Sequence, residues 1–199
     1  SRIATLLGRP QDGLLYRERA ESLATAINTR LINADGVYID GLYGDGAPSA
    51  NVSQHANMFP LSFGFVPEAQ RASVIAKVKE LKMRVGMVTV LHLVRAVGES
   101  GDGDHLIDLF TDETWDAGWA RSLALGATAT WESWIANVDG NSQSHAWGAA
   151  GLDGYVRYIL GIQPAAAGYE HVNIRPMEFG ERLPWARGTI PTDRGPIGV

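Results

Sequence analysis

The sequence predicts a mainly α-helical chain, built of successive helical hairpins, whose final stretch turns to β-structure. Three observations predict it. Apolar residues recur at helical spacing through most of residues 16–160. The segments between these stripes are short and rich in Gly, Asn and Pro, as expected where helices fold back on one another. From Gln163 onward, apolar and polar residues alternate and Pro and Gly become frequent, which is strand-and-turn chemistry.

Taken in order, residues 16–31 place Ala20, Leu23, Ala24, Ile27 and Leu31 on one helical stripe. Turn residues 33–36 end it, and GVYIDGLYGDGAPS reads as a Gly-rich loop. A second helix is expected over residues 53–65, and Pro67 with Glu68 opens a third. That third helix carries Val74, Ile75, Val78 and Leu81 on one face. Gly86 separates it from a fourth, with Val90, Leu91, Val94 and Val97 inward. GESGDGD is a loop, followed by short helices over residues 105–110 and 115–123. GATATWESW, residues 126–134, begins a helix or an extended entry into one, with Thr130 a candidate N-cap. DGNSQS is a polar turn, and residues 146–160 form the last long helix. Val172 and Ile174, then Trp185, Arg187 and Thr189, carry the alternation of strands. Too few strands follow to close a sandwich, so their edges are expected to be unpaired. No repeat of solenoid period is visible.

Composition narrows the function. With 199 residues, 45% hydrophobic and 20% charged, the chain is globular and long enough for one domain and part of a second. A net charge of −5 with no basic run carries no nucleic-acid footprint. The absence of Cys removes disulfides and thiolate metal sites. No apolar stretch approaches the ~20 residues needed to cross a bilayer; VGMVTVLHLV is interrupted by His92 and reads as a buried helix. The expectation is a soluble protein with no membrane partner, cytoplasmic or exported. The chain opens on Ser1 without a signal peptide, which suggests a processed or excised piece.

Several chemistries lack their motifs: GxSxG, HExxH and the P-loop are missing, and neither GLYGDG nor GESGDGD fits a dinucleotide fingerprint. ESGDGDHLID fails the spacing of a calcium loop, and the five histidines are scattered, so neither a metal nor another cofactor is expected. Asn51-Val52-Ser53 reads as a capping segment before a helix rather than a glycosylation site. What stands out is residues 112–158. They hold five of the six tryptophans, Trp115, Trp119, Trp131, Trp134 and Trp147, interleaved with Asp116, Glu132, Asp139 and His145. On a helix, Trp131 and Trp134 would stack along one side and turn Glu132 away. Two readings follow. Either the indoles are core and Glu132 is a solvated first-turn acid, or indoles and acid line a pocket for a sugar, whose C–H faces stack on aromatic rings.

GATATWESW, followed by SHAWGAAGLDGYVRYILGI, resembles the family 78 glycoside hydrolases, the bacterial α-L-rhamnosidases. Their first motif is Gly-Ala-Thr-Thr-hydrophobic-Trp-Glu and their second is Ser-x-x-His followed closely by Gly. YEHVNIRP and LPWARGTIPTDRGPI are similar to the opening strands of the β-sandwich that follows the family's catalytic domain. NVSQHANMFPLSFGFVPE and GMVTVLHLVRAVGESGD are similar to segments of its helical barrel. The match runs in order over most of residues 15–198, and Ala129 departs from the common Thr.

The resemblance implies an (α/α)6 toroid, of which residues 1–162 would be the C-terminal half of the catalytic domain and residues 163–199 the start of a truncated β-sandwich. It implies inverting hydrolysis of terminal α-L-rhamnosidic bonds, with Glu132 as general base and His145 contacting rhamnose. Trp131 and Trp134 are weaker candidates for the pocket walls; Trp115, Trp119 and Trp147 are assigned to structure. The general acid is expected upstream, in a segment with no counterpart here, so the chain alone is expected to be inactive. Should it prove active, Asp40, Asp45 and Asp116 are the candidates for a second acid. The implied partners are a rhamnose-containing glycoside or polysaccharide, and either the missing N-terminal half of the same enzyme or a second copy. Two rivals stand beside this reading: another toroid enzyme acting on uronic-acid polysaccharide, and a non-catalytic carbohydrate-binding or scaffold fragment.

Overall fold

The computed structural model describes residues 1–135 and 141–199. Helices dominate, and the chain divides into two compact units, Ser1–Val74 and Ile75–Val199.

The first unit starts with α1 (Arg2–Leu6) and α2 (Pro10–Arg30), where Pro10 supplies the preset φ that favours a helix start. The stripe read from the sequence is helical, but in this unit Leu23 on α2 is 62% exposed. An irregular segment then leads to α3 (Gln54–Phe63). It turns at Asn33, whose side-chain oxygen accepts the amides of Asp35 and Val37, and at Gly36 with φ +75°. Buried Asn57 on α3 straps the segment down. It accepts the Tyr38 amide at 3.0 Å and donates to the carbonyls of Tyr38 and Ser53. Ser53 caps α3 as expected, accepting the Ala56 amide at 3.1 Å. The helix α4 (Glu68–Glu80) opens where Pro67 and Glu68 predicted, and it carries the boundary between the units.

In the second unit the central helix is α5 (Val90–Ser100), with Val90, Leu93, Val94, Ala96 and Val97 buried. Leu91, expected inward, is only half-buried, and Leu93 takes its place. Next, α6 (Gly103–Thr111) is capped by Asp102, which accepts the His105 amide, and buries Leu106, Leu109 and Phe110. The helix α7 is shorter than expected, Trp119–Ala124. The long helix expected over residues 146–160 forms, and its winding changes along its length. It runs through a 3-10 turn (Ala146–Ala149), α8 (Ala150–Gly154) and a π-helical turn (Tyr155–Ile159). It packs closely on α5. A Cβ at Gly154 would meet Val94 at 2.7 Å, and one at Gly98 would meet the Tyr158 ring at 2.4 Å, so α5 and this segment approach as only glycine allows. The end of the chain forms two antiparallel ribbons, β1 (Ile162–Pro164) with β2 (Val172–Ile174) and β3 (Thr189–Ile190) with β4 (Ile197–Gly198). Of the alternating Trp185, Arg187 and Thr189, only Thr189 lies in a strand. No helix among the described residues is long and apolar enough to cross a membrane.

Candidate active site

Of the two expectations for GATATWESW, a helix beginning within it is not found: residues 127–135 have no regular structure, and the segment that an extended entry would lead into lies partly outside the described residues. The Ala127 amide donates to the Ser122 carbonyl, and Thr130 and Glu132 pair instead with residues 142–145. The Glu132 amide donates to the Ser142 carbonyl at 2.9 Å, and the His145 amide to the Thr130 carbonyl at 2.7 Å. Thr130 caps no helix. Its hydroxyl donates to the His145 carbonyl at 2.7 Å, closing the pairing from the side-chain end. Buried backbone groups must find partners, and here the two motifs satisfy each other. The result is that Glu132 and His145, thirteen residues apart in sequence, share one surface of the second unit.

At that surface the Ser142 amide donates to Oε2 of Glu132 at 2.8 Å. His145 Nδ1 lies 3.8 Å from the same oxygen, too far for a direct hydrogen bond but close enough for a bridging water or for charge attraction when the ring is protonated. The Glu132 and His145 side chains are 31% and 27% exposed, so both reach solvent without being free of the protein. Ser142 also orders its own segment, since its hydroxyl accepts the Ser144 amide and donates to the Ser144 carbonyl. Gly148 explains why a glycine follows the histidine. A Cβ there would meet Thr130 Cβ at 2.6 Å and the Trp131 carbonyl at 3.2 Å, so any larger residue would wedge the two motifs apart.

The tryptophans differ in burial and partners. Trp131 and Trp134 are each 6% exposed, and without a helix their spacing no longer aligns them. Trp134 meets Trp119 edge-on at 5.2 Å and donates to the Val85 carbonyl at 2.7 Å; Trp119 donates to the Gly148 carbonyl at 2.8 Å. Trp147, assigned to structure from the sequence, is 39% exposed and packs on the His145 ring with centroids 3.9 Å apart. Its indole N–H donates to the Glu132 carbonyl at 3.3 Å. Sequence spacing gave no sign of this, because exposure is set by the pairing of the two segments. Ser142 was visible only as the first letter of Ser-x-x-His. Asp139 lies outside the described residues.

Elsewhere in the second unit, Trp115, Trp134, Lys82, Arg84, Asp116 and Ser133 border a cavity of ≈ 400 Å³. Two of the three acids of GESGDGD are engaged by cations, Asp102 by Lys79 and Asp104 by Arg182 at 3.7 Å, while Glu99 accepts the Tyr158 hydroxyl. Among the described residues no group of three or more His, Asp or Glu is placed to hold a metal ion.

The second unit thus brings a carboxylate, an imidazole and an exposed indole together on one surface of a mainly helical chain. The chain belongs to the bacterial α-L-rhamnosidase six-hairpin glycosidase domain family, whose model matches residues 1–155. It is 28% identical over 208 residues to an α-L-rhamnosidase of Alteromonas sp. (strain LOR), covering 97% of this chain and 21% of that protein. It is also 28% identical to an α-L-rhamnosidase of Streptomyces avermitilis, covering 100% of this chain and 19% of that protein. The chain thus spans about a fifth of the length of these relatives. The crystal structure of the Streptomyces avermitilis enzyme complexed with L-rhamnose superposes with a TM-score of 0.77 over 99% of this chain and 19% of its own. The α-L-rhamnosidase of Dictyoglumus thermophilum shares the fold, with a TM-score of 0.81 at 23% identity over 99% of this chain and 22% of its own.

Proposed function

We propose that this chain is the base-bearing part of an enzyme that hydrolyses terminal α-L-rhamnosidic bonds with inversion. One observation carries the reading: the two motif segments pair so that Glu132 stands beside His145 with one carboxylate oxygen already held by the Ser142 amide. That amide fixes the direction in which the carboxylate points. The oxygen it does not hold accepts a proton from a water, whose oxygen attacks the anomeric carbon from the face opposite the leaving group. The glycosidic C–O bond breaks, and a general acid protonates the departing oxygen. In an inverting pair the two carboxyl groups stand roughly 6.5–9.5 Å apart to admit that water. His145 holds a rhamnose hydroxyl, and Trp131 and Trp134 frame the wall behind it.

The general acid comes from outside this chain, from the remainder of an enzyme as long as its relatives, so the 199 residues alone are inactive. Residues 1–162 are assigned to the catalytic toroid and residues 163–199 to the opening of a following β-sandwich. Proton NMR of the first product released from an aryl α-L-rhamnoside by the full-length protein tests the mechanism. The β-anomer of rhamnose should appear first and then mutarotate; initial release of the α-anomer would reject inversion and, with it, the assignment of Glu132 as a base for water.

A further inference from the structure

Trp147 has three properties that ordinary core packing does not produce together. It is a large apolar ring left 39% exposed. Its only polar atom is spent on the backbone carbonyl of Glu132 rather than on solvent. One side of it carries the His145 imidazole, tilted by 35° at a centroid separation of 3.9 Å. Its backbone is fixed as well, because the next carbonyl, that of Gly148, accepts the Trp119 indole and Gly148 cannot be replaced without a clash. The indole is therefore a rigid strut between the residue that carries the carboxylate and the residue that carries the imidazole.

We propose that Trp147 is a positioning residue for the Glu132–His145 pair, an inference that rests on the hydrolytic reading given above. Its ring fixes the plane of the imidazole, so that Nδ1 is presented to Oε2 of Glu132 and the opposite nitrogen to the sugar. Its N–H holds the main chain of Glu132, so that the carboxylate is aimed through the Ser142 amide and does not swing. Trp147 itself transfers no proton and need not touch the reacting atoms.

Two variants separate the parts of this role. Trp147→Phe keeps the stacked ring and loses the N–H; Trp147→Leu loses both. The first readout is carbethoxylation of histidines in the 199-residue chain by diethyl pyrocarbonate, followed peptide by peptide by mass spectrometry. It needs no activity, and the other four of the five histidines report on folding. His145 should react roughly tenfold faster in Trp147→Leu, the loss of a stacked ring contact and an anchored backbone, and about as slowly as the parent in Trp147→Phe. The second readout is turnover of an aryl α-L-rhamnoside by the full-length protein. There kcat should fall about tenfold in Trp147→Leu with KM nearly unchanged, because alignment rather than ground-state binding is lost, and Phe should restore much of it. Unchanged His145 reactivity in Trp147→Leu, or a rise in KM with kcat intact, would overturn the positioning role. Altered His145 reactivity in a protein that hydrolyses no rhamnoside would leave the strut standing and remove the hydrolytic reading instead.

Discussion

At the scale of single residues, charge is decided by who faces a group in its buried setting. His105 on α6 is buried, its Nε2 has no hydrogen-bond partner, and burial followed by the nearby Lys79 charge holds its pKa below 6.5. Asp102 and Asp108 pull the other way without prevailing. The folded state therefore binds its proton less readily than the unfolded chain. Stability from this group is complete above pH 6.5 and is lost as pH falls below that value towards the folded-state pKa. Thermal melts between pH 7.5 and pH 5 should show a falling Tm, and the slope should flatten in His105→Leu. Some slope should survive, since burial and Arg95 lower the pKa of His92 in the same direction. An identical pH slope in parent and variant would show that His105 is not the group responsible.

Among the elements, the informative failures are the two segments around the site. The periodicity of Trp131 and Trp134 reads locally as a helix, yet Thr130 and Glu132 take backbone hydrogen bonds from His145 and Ser142, and a non-local pairing outweighs local preference. The last helix was legible as a helix; its change of winding was not, nor the fit of Gly151 and Gly154 against Phe110, Trp119 and Val94, because these depend on partners distant in sequence. The Ser53 cap and the starts of α4 and α5 were legible, since they are written in neighbouring residues. Gly148 is the element-scale test. Gly148→Ala places a methyl 2.6 Å from Thr130 Cβ and 3.1 Å from Met87 Sδ, so the two motif segments must separate. The expected cost is about 1–3 kcal/mol of stability in denaturant melts, the usual range for overpacking. Activity should fall further than the melt alone explains, because the pairing aims Glu132. A variant with parental stability and activity would mean that the segments need not stay in contact.

On the scale of the whole molecule, the family and its hairpin architecture were legible from two short motifs and the run of amphipathic stripes, and the match over residues 1–155 bears that out. What the stripes could not convey is which of them this chain covers by itself. Leu6 is 86% exposed and Leu23 62%, so the start of the first unit presents apolar surface. The relatives are about five times as long, and this chain matches 21% and 19% of them. The reading of the site is independent of that surface, because it rests on Glu132. The most direct measurement is therefore turnover of an aryl α-L-rhamnoside by the full-length protein and by its Glu132→Gln variant, with circular dichroism confirming that both are folded. The account predicts that the variant loses roughly 10²–10⁴-fold in kcat, the contribution of a positioned general base. A folded variant that turns over at the parental rate would contradict it, and the base would have to be sought elsewhere.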